Sequence, residues 1–306
     1  MRAGAREFHH GVVKVRIGVG LAPGSEPAGF PEAVDHMERL DIDSLWLSEV
    51  VFSPQVDPLV GMAHALSRTT RLKVGTGVAV LPGRHPVLVA KQLVSLAALA
   101  PGRVLPAFGL QAARRPERQL FEVPAGRRAA AFDETMHVLR MLLEQDEVTY
   151  HGEFCTIDGA SVGPKPYKPL DIWLGGSAPS AMRRVGRFAD GWLASFLTPE
   201  QTRRGREAIQ AAAAEAGREI EPDHYGISLA VATDGMPPEL LARARERQPD
   251  TDPRELIANG WHHARELVDR YVDAGITKFV IRPAGDVASY ASFLDSFAAE
   301  LMPLQT

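Results

Sequence analysis

The chain reads as an α/β protein, a (βα)8 TIM barrel with insertions after strands 4 and 7. Three observations predict it. Eight short apolar runs alternate with helical patterns, most runs have a helix after them, and 306 residues is an ordinary length for one such barrel. Strands and helices alternating at this spacing imply parallel strands joined by right-handed crossovers.

The first run, 15–21 (VRIGVGL), precedes the helical FPEAVDHMERL, and the second, 44–50 (SLWLSEV), precedes a helix around LVGMAHALSR. The third, LKVGTGVAV at 72–80, carries β-branched Val74, Val78 and Val80, as a buried parallel strand prefers. Gly75 and Gly77 weaken it, and glycine inside a strand marks a bulge or a close approach to the backbone. Two readings are open: a ligand lies against this backbone, or the glycines make room for a neighbouring helix. Pro82 and Gly83 end the run, and Pro86 suits the first turn of a helix from 87 to about 100.

The later runs are 103–109 (RVLPAFG), 171–175 (DIWLG), 191–196 (GWLASF), 225–232 (YGISLAVA) and 277–282 (TKFVIR). TPEQTRRGREAIQAAAAEAG has a Thr-Pro start and a Gly stop, and WHHARELVDRYVDAG ends at Gly275. About sixty residues separate the fourth and fifth runs, too many for a simple crossover. Within them VTYHGEFCTI predicts a hairpin around His151 and Gly152, and GPKPYKPL an extended approach to the fifth strand. Insertions at the C-terminal face cover or shape active sites, so this segment and DGMPPELLARARERQPDTDPRE after the seventh run are expected covers.

Composition bounds the function. A net charge of -4 offers no broad basic field for nucleic acid. One cysteine, Cys155, excludes an internal disulfide and fits a reducing, cytoplasmic setting; no run approaches a membrane span. Residues 1–13 read as a flexible tail before a single domain over 14–306, and His9 and His10 in that tail could bind a stray metal. No HExxH and no His-carboxylate cluster at metal spacing occurs, so no metal site is expected, and no GxSxG elbow supports a serine hydrolase.

Ser48 and Glu49 fall at the C-terminal rim of the second strand, where barrel enzymes keep their functional groups. Glu49 is a base or ligand contact, or else a capping or surface carboxylate. Gly175 and Gly176 lead the fifth strand into a helix whose free N–H groups form an anion site, unless the pair is only a tight turn. Arg114, Arg115 and Arg118 after the fourth strand read as a solvated face or as partners of an anionic tail.

In combination, RLKVGTGVAVLPGRHPVLVAKQLVSLAALAPGRV and PLDIWLGGSAPSAMRRVGRFADGWL resemble the luciferase-like monooxygenase superfamily, with SLWLSEV and VTYHGEF in the same register. The resemblance implies a barrel oxidoreductase using the deazaflavin coenzyme F420, or alternatively FMN with O2 as a monooxygenase, on a small organic substrate. It implies a non-prolyl cis peptide at Gly77-Val78, a bulge behind the cofactor ring, with Ser48, Thr76 and Gly109 around it. Gly175, Gly176 and Ser177 would hold the cofactor phosphate, and Glu49 takes the acidic rim position. Homodimers are common among such proteins. Two positions depart: Val50 stands where many deazaflavin members have His, and FGLQAARR lacks the Gly-Glu of the sugar-phosphate dehydrogenases. These departures argue against sugar-phosphate oxidation, and they keep a cofactor-binding barrel without turnover as a rival reading.

Overall fold

A computed structural model describes residues 14–306, and before them the backbones of Glu7–Phe8 and Gly11–Val12, paired antiparallel. The expected flexible tail over 1–13, with His9 and His10, otherwise lies outside the described residues.

Eight parallel strands form the barrel: β1 (Arg16–Gly20), β2 (Ser44–Leu47), β3 in two pieces (Lys73–Thr76 and Ala79–Val80), β4 in two pieces (Val104–Leu105 and Ala107–Gly109), β5 (Trp173–Gly175), β6 (Gly191–Ser195), β7 (Tyr225–Ala232) and β8 (Lys278–Pro283). Each falls on one of the eight apolar runs, β8 extending one residue beyond its run to Pro283. The ring closes because β8 pairs with β1, and because β3 and β4 pair on both sides of their interruptions: Val74 with Val104 below, and Val80 with Gly109 above.

Side chains of a strand alternate between two faces. Ile17, Val19, Leu45, Leu47, Ile227, Leu229, Phe279 and Ile281 join the large core between sheet and helices. Trp46, Ala107, Trp173, Leu193 and Val280 form a separate buried cluster. These five come from β2, β4, β5, β6 and β8, and only the barrel interior lets all of those strands meet. This plug fills the lower barrel.

The helices start and stop as their residues dictate. Pro86 opens α3 (Pro86–Leu99), following α1 (Phe30–Arg39) and α2 (Pro58–Arg68), which Asp57 caps through the N–H groups of Leu59 and Val60. After α4 (Arg128–Glu144) and α5 (Pro179–Phe188) comes α6 (Pro199–Glu215), where Thr198 and Gln201 form a reciprocal capping box. The chain continues through α7 (Pro238–Arg247), α8 (Gly260–Asp273) and α9 (Tyr290–Glu300).

Between β4 and β5, α4 is the crossover helix. Only 110–127, containing the 3-10 turn Arg115–Leu120, stands directly on the end of β4. The expected hairpin, Val148–His151 with Thr156–Ala160, follows α4 and is anchored on it: Glu134 accepts N–H bonds from Glu153 (2.9 Å), Phe154 (2.8 Å) and Cys155 (2.9 Å). After β7, by contrast, the insertion is at the strand's end. There α7 packs Leu240 and Ala244 over Ala230 and Ala232 of β7 and Ala284 beyond β8.

Glu38 ends the route from α1 by accepting N–H bonds from Thr70 (2.9 Å), Arg71 (3.0 Å) and Leu72 (2.9 Å), the turn that feeds β3. Burial alone would raise its pKa, but these bonds and the Thr70 hydroxyl outweigh burial and hold it at about 2. A folded-state pKa below the unfolded one adds stability above pH ~4.5 that is lost as pH falls toward ~2, on the order of 1 kcal/mol once solvent screening is counted. Glu38→Gln should therefore lower urea stability by about 1 kcal/mol at pH 7, and the difference should shrink at pH 3. An equal difference at both pH values would refute this account of Glu38.

Candidate functional site

The interruption of β3 is the centre of the site. The Gly77-Val78 peptide bond is cis, at the position the resemblance implies. Three hydrogen bonds tie the interruption to the end of β2: Gly77 N–H donates to the Leu47 carbonyl at 2.8 Å, the Ser48 hydroxyl donates to the Gly77 carbonyl at 3.0 Å, and Glu49 N–H donates to the Val78 carbonyl at 3.4 Å. Gly77 and Val78 are half-buried, unlike their buried neighbours on both sides.

The two glycines of the third run have different reasons. A Cβ on Gly75 would lie 2.3 Å from the Leu105 carbonyl oxygen, so this glycine makes room for the neighbouring strand rather than for a helix. A Cβ on Gly77 would meet only Trp46, at 3.4 Å, and Leu193, at 4.0 Å. Gly77 is therefore not demanded by close packing.

Alternation defines what lines the barrel above the plug. Two residues beyond Trp46, Ala107, Trp173, Leu193 and Val280 are Ser48, Gly109, Gly175, Ser195 and Arg282. Four of these five are Gly or Ser, so little side-chain volume projects inward at this level. Val78 leans into this space against the two glycines: a Cβ on Gly109 would lie 2.7 Å from its Cγ2, and one on Gly175 would lie 3.2 Å from its Cγ1. Ser48, Gly77, Val78, Gly109 and Gly175 thus come together at the barrel mouth. Thr76 does not open onto it, because its buried hydroxyl donates to the Ala107 carbonyl (2.6 Å) and accepts from Ala107 N–H (2.8 Å).

From Gly175 the chain turns directly into α5. Gly176 has φ of 122°, a conformation that L side chains rarely adopt, and its carbonyl accepts from Trp192 Nε1 at 2.8 Å, which pins the turn. Residues Gly176 to Ser180 are exposed, the first turn of α5 contains no acid, and no side chain caps it. Helix N-termini leave such N–H groups without partners and carry partial positive charge. This end is open to an anion.

Glu49, just past β2, is 7% exposed. One carboxylate oxygen accepts Val80 N–H at 2.7 Å, and the other is bonded by Arg84. Burial raises its pKa, opposed by the Val80 bond and by the Arg84 charge. Both oxygens are engaged, so Glu49 links the end of β2 to the upper piece of β3. Arg84, which the sequence reading did not single out, also lies over the Phe121 ring. Of the three arginines after β4, Arg114 donates to the Phe52 carbonyl, Arg118 donates to the Ala112 carbonyl, and Arg115 pairs with Glu246 of α7. Among the described residues no three His, Cys, Asp or Glu side chains stand together as a metal site, and no helix is long and apolar enough to cross a membrane.

Fold and site together define a parallel barrel whose strand C-terminal ends gather small residues around an interrupted third strand, beside an uncapped helix start. The chain belongs to the luciferase-like monooxygenase family, which matches residues 9–291. It is 36% identical over 177 residues to an uncharacterized protein of Mycobacterium tuberculosis, covering 58% of this chain and 60% of that relative's length. It is 26% identical over 324 residues to an F420-dependent glucose-6-phosphate dehydrogenase of Kineococcus radiotolerans, covering 91% of this chain and 93% of the relative. Among solved structures, an F420-dependent secondary alcohol dehydrogenase, in complex with an F420-acetone adduct, superposes with a TM-score of 0.80 at 20% identity, over 96% of this chain and 100% of that one. At that identity the likeness is one of fold.

Proposed function

We propose that this chain is an oxidoreductase of the luciferase-like type that binds coenzyme F420 at the barrel mouth and exchanges hydride with a small organic substrate. The observation that carries this reading is the convergence of Ser48, Val78, Gly109 and Gly175 around one opening that leads without a break into the uncapped start of α5. A flat ring with an anionic tail fits both halves: the small residues leave room for the ring, and the exposed N–H groups of Ser177 and its neighbours suit a phosphate. F420, when bound, supplies hydride transfer at C5 of its ring.

The chain's own residues then have defined parts. Val78 is the apolar surface behind the ring, and Ser48 fixes the backbone carbonyl beneath it. Glu49 positions this platform by holding Val80 N–H and Arg84, and its contribution to turnover is that positioning. The insertion carrying α7 covers the end of β7 on the opposite side. FMN is the alternative occupant, with oxygenation as its chemistry, and binding without turnover is the third reading.

Two measurements decide among these. Oxidation of reduced F420 in the presence of a carbonyl and enone panel should be substrate-dependent; F420 binding without any turnover would favour the non-catalytic reading. Ser177→Asp should weaken F420 binding five- to tenfold, about 1 to 1.4 kcal/mol, by placing like charge at the helix end. This position is cleaner than Gly176, where a Cβ would lie 2.8 Å from Ala181 Cβ and the backbone itself would be strained. Unchanged affinity in Ser177→Asp would remove the phosphate assignment.

A further inference from the structure

Of the five residues that lie two positions beyond those of the plug, Arg282 is the exception to Gly and Ser. It follows Val280 by two residues at the end of β8, so alternation directs its side chain into the mouth. Its Cβ packs beside Gly20 of β1, where a Cβ would lie only 3.4 Å away. No carboxylate answers it. Among the described residues Arg282 makes no hydrogen bond or ion pair, and the charges that act on it are those of two further arginines of α7, Arg243 and Arg247.

Burial and then the like charges of Arg243 and Arg247 lower the pKa of Arg282 to about 10, and burial followed by the like charges of Arg243 and Arg118 lowers that of Arg247. Arg247 stacks over the Phe196 ring at 4.8 Å, which holds it beside the end of β6. Glu246 opposes these like charges at Arg247 and is itself paired with Arg115. Buried charge without a partner is costly, and proteins keep it where a ligand supplies the counter-charge.

In an eight-strand ring β7 stands across from β3, and β8 across from β4. The arginines therefore face the third-strand bulge from the far side of the opening. We propose that Arg282, with Arg243 and Arg247 above it, seats the anionic head group of the substrate, a carboxylate or a phosphate, opposite the cofactor ring. This rests on the assignment of the β3 to β5 side to the cofactor. Guanidinium groups suit both anions because their planar forks bind two oxygens at once.

The test titrates the purified protein calorimetrically with inorganic phosphate and, separately, with acetate. Saturable binding of at least one is expected; tighter phosphate binding names a phosphate head group, and tighter acetate binding a carboxylate. Arg282→Met should weaken that binding at least tenfold and Arg282→Lys by less, whereas Ser177→Asp should remove only a separate phosphate-binding phase at the start of α5. Arg243→Gln and Arg247→Gln, exposed on α7, ask the same question outside the barrel interior and should each weaken binding about threefold. No binding of either anion, unchanged affinity in Arg282→Met and both α7 variants, or loss confined to Ser177→Asp would overturn the proposal. F420 affinity is measured in parallel and should stay within about twofold in Arg282→Met. If it falls together with phosphate affinity, the cluster belongs to the cofactor tail and the substrate assignment fails. If wild-type protein binds the anion through Arg282 but no F420, the cofactor reading fails instead, and the anion seat stands as a site without that cofactor opposite it.

Discussion

Gly109→Ala is expected to lower F420 affinity at least tenfold. The added methyl carbon would lie 2.7 Å from Val78 Cγ2, closer than carbon atoms approach, and Val78 is the inner face of the third-strand bulge. β4 cannot yield easily, because Gly109 pairs with Val80 and its carbonyl accepts Leu81 N–H at 3.2 Å. Val78 must move, and the surface behind the ring moves with it. Overpacking of this kind costs about 1 to 3 kcal/mol of stability, so chemical denaturation should be measured alongside the binding titration. Gly29→Ala is the control, since no atom lies within 4 Å of the added carbon, and it should leave F420 affinity unchanged. Equal affinity in Gly109→Ala and wild type would mean that Val78 does not form the binding surface.

The second large effect is expected at Glu49. Glu49→Ala removes the acceptor of a buried backbone N–H, that of Val80, and the partner of Arg84, which is 28% exposed on its side chain. Leaving a buried donor unsatisfied costs about 1 to 3 kcal/mol, and stranding a partly buried cation adds to it, so a loss of about 2 to 4 kcal/mol in urea stability follows. F420 affinity should fall as well, because Val80 adjoins the bulge. Arg84→Met should reproduce part of both losses. A Glu49→Ala protein with wild-type stability and F420 affinity would show that the Glu49 link to β3 is dispensable.

Much of this arrangement can be read from the amino-acid order, and the reasons are local. Val74, Val78 and Val80 mark a buried strand, Pro82, Gly83 and Pro86 mark its end and the next helix, and Thr198-Pro199 marks a capping box, all within a few residues of one another. Arg282 was also within reach. The run FVIR places it two residues beyond Val280, on the same inward face, and a charged residue at the top of the last strand is a signal that alternation alone could have raised.

What the order of residues does not disclose depends on partners distant in the chain. Gly75 and Gly77 look equivalent in KVGTGV, and only the approach of Leu105 separates a packing glycine from one at the mouth. The hairpin at 148–160 was expected as a cover, but its tip is held by Glu134 on the helix layer, a contact no local pattern announces. Glu49 invited a reading as a base because of its rim position. The engagement of both its oxygens arises from Arg84 and Val80, some thirty residues away.

The central claim is that the barrel mouth is a deazaflavin site, and the most direct measurement is a fluorescence titration of the purified protein with F420, with FMN in parallel. The account predicts saturable binding of F420, weaker or absent binding of FMN, and a clear loss of F420 affinity in Gly109→Ala and Ser177→Asp. No saturable binding of F420 by the wild-type protein would contradict it.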